Sequence, residues 1–297
     1  MFSDTHFHFS YIFENLGAEE SARMLSAMAE YDTYFAMDIG THCDDLKTRA
    51  DLLASAVGSI KDEPLREKAQ QFLFLSAGIW PDKDAICDRE NQMKVLEKSI
   101  SDFVKSGHEF SGKLCAIGEG GLDHHWNPSG VDGRCESDFD AAVFEGEREL
   151  FLMQLALAKK MNLPFICHSR DAYEGTLEAI KESGVSKGII HCYSYGKDEA
   201  RSFLDLGWHI SLSGSITYAK KSKLEAMKEM ISFIPEERLL METDAPYLAP
   251  VPERGKMNTP LFIKNTYAFA AEARGLTTEA LCELVDRNIK NLFELIR

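Results

Sequence analysis

Several ordinary features are missing from this sequence, and each absence narrows the reading. Its seven cysteines, an odd number in 297 residues, include no C-x-x-C pair, so they read as reduced thiols of a cytosolic protein rather than a disulfide framework. No apolar run approaches the roughly 20 residues that a membrane span needs. Ser3, Asp4 and His6 interrupt the N-terminus before the apolar core of a signal peptide could form. The expectation is a cytoplasmic chain with no membrane partner. No G-x-G-x-x-G follows a predicted strand and no G-x-x-x-x-G-K-[ST] occurs, which removes the main signal of the nucleotide-binding folds. Positive charge is scarce: 33 basic residues face 48 acidic ones, a formal net charge of −15. That argues against broad binding to a nucleic-acid duplex, where basic surface supplies most of the affinity. It leaves open a short nucleic-acid end meeting a metal. No linker, internal repeat or low-complexity tract divides the chain, so residues 1–297 are expected to form one domain.

What is present is alternation. Strands are expected at about 1–8, Thr33 to Gly40, Phe72 to Ile79 (FLFLSAGI), Leu114 to Gly118, Leu163 to Cys167, Gly188 to His191, Trp208 to Leu212 and Arg238 to Glu242. Helices are expected near 18–31, 44–70, 83–106, 140–161, 173–183, 197–206, 221–233, 260–273 and 277–295. The stretch 127–139, rich in Gly, Ser and Asp, reads as a surface loop. Near-continuous apolar strands fit a parallel sheet covered on both faces. Eight strands, seven followed closely by a helix, predict an α/β fold closed as a (β/α)8 TIM-type barrel, with a doubly wound open sheet as the alternative.

The chemistry-bearing residues fall where these strands end. On a strand, successive side chains alternate, so His6 and His8 share a face with Asp4 behind them. Two neighbouring imidazoles form half of a metal site, or else two histidines hydrogen-bonded inside a half-buried strand. Downstream, Glu119, His168, His191 and Asp244 each stand at the end of an expected strand, and glycines 118, 120 and 121 leave room around Glu119. The C-terminal ends of barrel strands form the active face, so six residues distant in sequence would converge. Four histidines and two carboxylates are enough for two metal ions sharing one carboxylate.

Read in order, Asp4-Thr5-His6-Phe7-His8, Ala116-Ile117-Gly118-Glu119-Gly120-Gly121-Leu122-Asp123, His168-Ser169-Arg170, His191-Cys192-Tyr193-Ser194, Ser211-Leu212-Ser213-Gly214 and Glu242-Thr243-Asp244-Ala245-Pro246-Tyr247-Leu248 resemble the motif series of the TatD family of metal-dependent deoxyribonucleases, within the amidohydrolase superfamily. The resemblance runs from residue 2 to the end of the chain. It implies a (β/α)8-type barrel, a divalent metal centre and hydrolysis of DNA phosphodiesters, with 3′–5′ exonuclease action on single-stranded or frayed ends. Carried over by motif, one ion would be held by His6, His8, Glu119 and Asp244 and the other by Glu119, His168 and His191. Glu119 would bridge them, and Asp244 would also act as general base toward the attacking water. Imidazole-rich ligation favours Zn or Mn over Mg on softness, whereas the family often works with Mg, so Mg, Mn and Zn all remain open.

Three positions depart from the family pattern. His124-His125 replace the usual aromatic residues after Gly-Leu-Asp, and either touch substrate phosphate or an extra ion or are two exposed loop histidines. Trp80 stands where a histidine commonly follows Gly-Ile, so a substrate contact is lost there or replaced by stacking. Met257-Asn258-Thr259-Pro260 replaces Arg-Asn-Glu-Pro and removes a positive charge from the phosphate-binding rim. Arg170, His125, Arg254 and Lys256 are the candidate substrate contacts, through charge-assisted hydrogen bonds to phosphate; structural ion pairs are the competing reading. Trp126 and Tyr247 are candidates for stacking on a base, although core packing is the favoured reading for Tyr247 and both readings stay open for Trp126. The alternative activity is that of an amidohydrolase-type enzyme cutting a small-molecule amide, lactone or ester with the same dinuclear centre. Many such relatives use a carboxylated lysine where this chain offers Glu119. A non-catalytic metal-binding protein is a third reading, disfavoured because a binding module has no need of a general base.

Overall fold

The computed structural model describes residues 2–125 and 140–295. Eight strands form one parallel sheet in the order β1 to β8: β1 (Asp4–Phe7), β2 (Ala36–Asp38), β3 (Leu73–Ala77), β4 (Leu114–Asp123), β5 (Phe165–Arg170), β6 (Gly188–Ile190), β7 (His209–Leu212) and β8 (Leu239–Met241). The last strand returns to the first. Just beyond β8 the Asp244 amide donates to the His6 carbonyl (2.9 Å), and the His8 amide donates to the Ala245 carbonyl (2.8 Å). The result is the expected (β/α)8 barrel. Its strands are buried nearly throughout, as apolar runs such as Leu73–Ala77 require when helices cover the sheet.

Eleven α-helices occur among the described residues: α1 (Phe9–Glu30), α2 (Leu46–Gly58), α3 (Glu63–Phe72), α4 (Lys83–Cys87), α5 (Arg89–Lys105), α6 (Ala141–Met161), α7 (Tyr173–Ser183), α8 (Lys197–Asp205), α9 (Leu224–Phe233), α10 (Ile263–Arg274) and α11 (Thr278–Leu292). None is long and apolar enough to cross a membrane. Three helices differ from the sequence reading. The helix expected near 18–31 is present, but a further helical stretch from Phe9 precedes it within α1, the two separated by the non-helical Gly17 (φ 75°, ψ 173°); an Asp38 oxygen accepts from the Phe9 amide (2.8 Å) and starts that first stretch. The stretch 44–70 divides into α2 and α3, because Asp62 caps a new helix by accepting from the Leu65 amide. The stretch 83–106 divides at Asp88 into α4 and α5. The segment 127–139, and Trp126 before it, lie outside the described residues.

The fourth strand is longer than expected, and the reason bears on the site. Instead of stopping at Gly118 it runs on to Asp123, pairing Gly121 with His168 and Asp123 with Arg170 of β5. A Cβ on Gly121, whose φ is +148°, would stand 1.9 Å from the His168 carbonyl oxygen. Only glycine lets β4 and β5 approach this closely, and that approach brings Glu119 and His168 together. A Gly121→Ala substitution is therefore expected to destabilise the fold by about 3 kcal/mol. Gly112→Ala, where nothing lies within 4 Å of the added carbon, should stay within about 0.5 kcal/mol of wild type. Equal denaturation midpoints for the two variants would refute the packing argument.

Candidate metal centre

The strand ends converge as alternation and closure demand. Along β1, Phe7 packs in the fully buried core, while Asp4, His6 and His8 take the other face. His6 and His8 bring their Nε2 atoms to 3.3 Å of one another. Both face one oxygen of Glu119: Oε2 lies 3.4 Å from His6 Nε2 and 3.8 Å from His8 Nε2. The other oxygen, Oε1, lies 2.8 Å from His168 Nδ1 and 3.0 Å from His191 Nε2. Asp244 Oδ1 completes the first side at 3.7 Å from His6 and 3.5 Å from His8. The six expected residues thus form one cluster, with the Glu119 carboxylate at its centre.

Buried polar contacts fix these side chains. One Asp4 oxygen accepts from the backbone amides of His6 (3.2 Å) and Thr243 (2.9 Å), tying β1 to the segment that carries Asp244. The Glu119 amide donates to the Gly40 carbonyl (2.8 Å). Beside that loop the buried Arg49 guanidinium bonds Asp38 (2.7 Å) and the Ser76 carbonyl (2.6 Å). The His6 and His191 rings stack at 4.0 Å between centroids, 7° from parallel.

Two carboxylates that the sequence reading left without a role stand behind the histidines. Asp123 Oδ2 lies 3.0 Å from His168 Nε2, and Glu242 Oε1 lies 3.5 Å from His191 Nδ1. Asp123 follows Glu119 by four residues on β4, whereas Glu242 directly follows β8, two residues before Asp244. The available signal was the nearness of each acid in sequence to an expected ligand. Carboxylates in this position orient ligating imidazoles and raise their basicity.

The donor set fits divalent cations. His6, His8 and Glu119 form one group, and Glu119, His168 and His191 another, with the ligand atoms of each group within 4.8 Å of one another. His6, His191 and Glu242 meet the same test. Five carboxylates (Asp4, Glu119, Asp123, Glu242 and Asp244) gather in this buried region, and Glu242 Oε2 has no hydrogen-bond partner. In the metal-free protein the imidazoles offset these carboxylates, with burial pushing Asp4 up to about 7 and His168 raised to about 9; a bound cation would take over that role from the imidazole protons.

The electrostatics agree. Burial alone would raise the Glu119 carboxyl, but His191, His168 and His6 hold it well below the usual range. Asp244 is likewise lowered against burial, chiefly by its contact with His8. Burial works against charge on His168, yet Asp123 and Glu119 on either side of the ring push its pKa up to about 9.

The remaining expected residues spread around the mouth. Arg170 ends β5 with Nη1 3.9 Å from Asp123 Oδ2, and His125 pairs through Nδ1 with Asp171 (2.8 Å). His124 is not an exposed loop residue: it packs edge-on against Phe144 (4.6 Å) and pairs with the fully buried Glu147 (3.2 Å). Arg254 lies over the Tyr218 ring at 4.4 Å, and Lys256 pairs with Glu253 (2.5 Å).

Residues 3–294 match the family model described as TatD related DNase. The chain belongs to this family. Members similar to it include an uncharacterized metal-dependent hydrolase, YabD, of Bacillus subtilis, 35% identical over 77% of this chain and 81% of the relative. A 3′-5′ ssDNA/RNA exonuclease, TatD, of Pantoea ananatis is 32% identical over 82% and 86%. The crystal structure of the TatD homologue YJJV from Escherichia coli superposes with a TM-score of 0.73 at 24% identity, covering 99% of this chain and 98% of the other. A TatD-family hydrolase from Entamoeba histolytica also superposes at 0.73, with 19% identity and 98% and 97% coverage. The TatD-family protein described here is thus a metal-dependent hydrolase of the nuclease type, built on the barrel those structures share.

Two predictions follow from the charge balance. His168 carries a proton below about pH 9 in the metal-free protein and must lose it to ligate, so metal uptake at pH 7.5 should release protons. Affinity should rise with pH up to about 9. Titration calorimetry in two buffers of different ionisation enthalpy reads this directly, and equal heats would contradict it. Replacing Asp123 by Asn should weaken metal binding by about 10- to 100-fold, measured as the dissociation constant with the fold intact by circular dichroism.

Proposed function

We propose that this TatD-family protein hydrolyses DNA phosphodiesters, removing nucleotides in the 3′–5′ direction from single-stranded or frayed ends. The observation that supports this most is the division of Glu119, one oxygen facing His6 and His8 and the other facing His168 and His191. A carboxylate so divided suits a bridge between two ions, one held by His6, His8, Glu119 and Asp244, the other by Glu119, His168 and His191. When bound, such a pair supplies a water acidic enough to ionise near neutral pH and positive charge against the attacking and leaving oxygens of an in-line displacement.

The residues of the chain do the rest. Asp244, held below the usual carboxyl range, is ionised at neutral pH, and Oδ1 accepts the proton of the attacking water. Its side chain is 14% exposed while those of His6 and Glu119 are 0% and 4% exposed, so it is the acid of the cluster that solvent reaches. Arg170 and His125, on the adjoining rim, orient the phosphate. The name of the Pantoea ananatis relative, 3′-5′ ssDNA/RNA exonuclease, supports the same polarity and substrate. A cytoplasmic site of action is part of this reading, supported by the six free cysteines among the described residues.

The test is degradation of an end-labelled single-stranded oligonucleotide with Mg, Mn and Zn in turn. Wild type should produce a ladder from the 3′ end. Asp244→Asn should slow it by about 10²- to 10⁴-fold, and His6→Ala should lose both metal and activity. A folded, metal-loaded wild type that spares DNA but turns over amides or lactones would move the assignment to a small-molecule hydrolase.

A further inference from the structure

Aromatic rings flank the cluster on opposite sides. On the His8 side, Tyr247 and Tyr11 lie at 6.0 and 5.8 Å between ring centroids, with Tyr247 edge-on to the imidazole. On the His168 side, Trp80 lies edge-on at 5.9 Å. Glu119 stands between the two sides.

Of these rings Tyr247 is presented to solvent, while Trp80 and Tyr11 are half-buried, each with part of its surface open. Tyr247 is 52% exposed, one of four large hydrophobic side chains so open among the described residues. Its backbone is nonetheless fixed at both ends. The Tyr247 amide donates to the Asp244 carbonyl (2.8 Å), and its carbonyl accepts from Asn258 Nδ2 (2.6 Å), a side chain with no exposure of its own. Trp80 is held in a similar way. The fully buried Gln154 side chain bonds both the amide and the carbonyl of Ile79 (2.8 and 2.9 Å), while the Trp80 amide donates to Thr41 (2.9 Å). On each side a buried amide side chain anchors the backbone beside the ring, which is exposed at Tyr247 and half-buried at Trp80. Ring and backbone order are thus supplied before any ligand arrives, which lowers the entropy lost on binding.

We propose that these rings stack on the unpaired bases flanking the scissile phosphate, Tyr247 with Tyr11 on one side and Trp80 on the other. The inference rests on the nuclease reading above and adds the means by which a single strand is held. A base stands one sugar away from its phosphate, and each ring stands about 6 Å from a histidine of the cluster. The net charge of −15 and the engagement of Arg254 and Lys256 by Tyr218 and Glu253 leave Arg170 and His125 as the phosphate contacts, so stacking adds affinity that basic surface does not. Stacking is sequence-tolerant and needs no positive charge. It also demands a base freed from its pair, so the rings select single-stranded ends.

The test is steady-state cleavage of a single-stranded oligonucleotide by wild type, Tyr247→Ala, Tyr247→Phe and Trp80→Ala. Tyr31→Ala, an equally exposed tyrosine at the end of α1 on the opposite face of the barrel, is the control. Tyr247→Ala and Trp80→Ala should each raise KM about tenfold with a smaller change in kcat, Tyr247→Phe should restore it, and the control should match wild type. An oligonucleotide abasic at the two terminal positions should lose a similar factor with wild type but little further with the alanine variants. Cleavage with KM unmoved in both alanine variants, or abasic ends cut as well as ordinary ones, would overturn the stacking role alone. Absence of DNA cleavage by wild type would overturn the nuclease reading and this inference together.

Discussion

Closure of the sheet is the constraint on which everything else depends. The hydrogen bonds joining His6 and His8 to Asp244 and Ala245 do more than complete a ladder. They bring the first and last thirds of the chain into one wall, and the Asp4 carboxylate, bonded to both the His6 and Thr243 amides, locks that seam from within. Without closure, His6 and His8 would be an exposed pair on an edge strand, and Asp244 a carboxylate more than two hundred residues away. The same seam makes the folded state and the competent site one object, because ligand positions are set by main-chain register rather than by side-chain choice.

Register alone would not produce the central carboxylate. The glycines around Glu119 let β4 press against β5 until Glu119 and His168 touch, and they extend the strand far enough for Asp123 to reach the far side of the same imidazole. His168 is therefore held between two acids, and His191 between Glu119 and Glu242. The net effect is a compact, buried set of carboxylates interleaved with imidazoles: the mixed donors suit divalent cations, and the imidazoles, His8 first among them, keep Asp244 ionised at neutral pH.

Much of this could be read from the sequence, and the exceptions have physical causes. Six ligand-type residues at strand ends were visible because strand period and barrel topology are local rules repeated along the chain. Asp123 and Glu242 stood beside expected ligands in the sequence but lacked a distinguishing sign, since a carboxylate at a strand end more often caps or pairs. His124 reads as a loop residue, yet it is drawn back to Glu147 of α6, a partner that only packing supplies. Element ends moved for similar reasons. Phe9 begins a helical stretch ahead of the expected helix because Asp38 receives its amide, and β4 runs on because β5 lies close enough to pair with glycine.

The sequence by itself determined the alternation of strands and helices, the parallel and buried character of the strands, and the identity of the clustered donors. These follow from side-chain chemistry and the two backbone periods, which need no knowledge of distant contacts. Only the tertiary structure decided which oxygen of Glu119 faces which histidines, which acids stand behind them, and that an exposed Tyr247 and a half-buried Trp80 flank the cluster on opposite sides. Those facts depend on distances between residues far apart in the chain, and such distances exist only once the sheet has closed and the helices have packed.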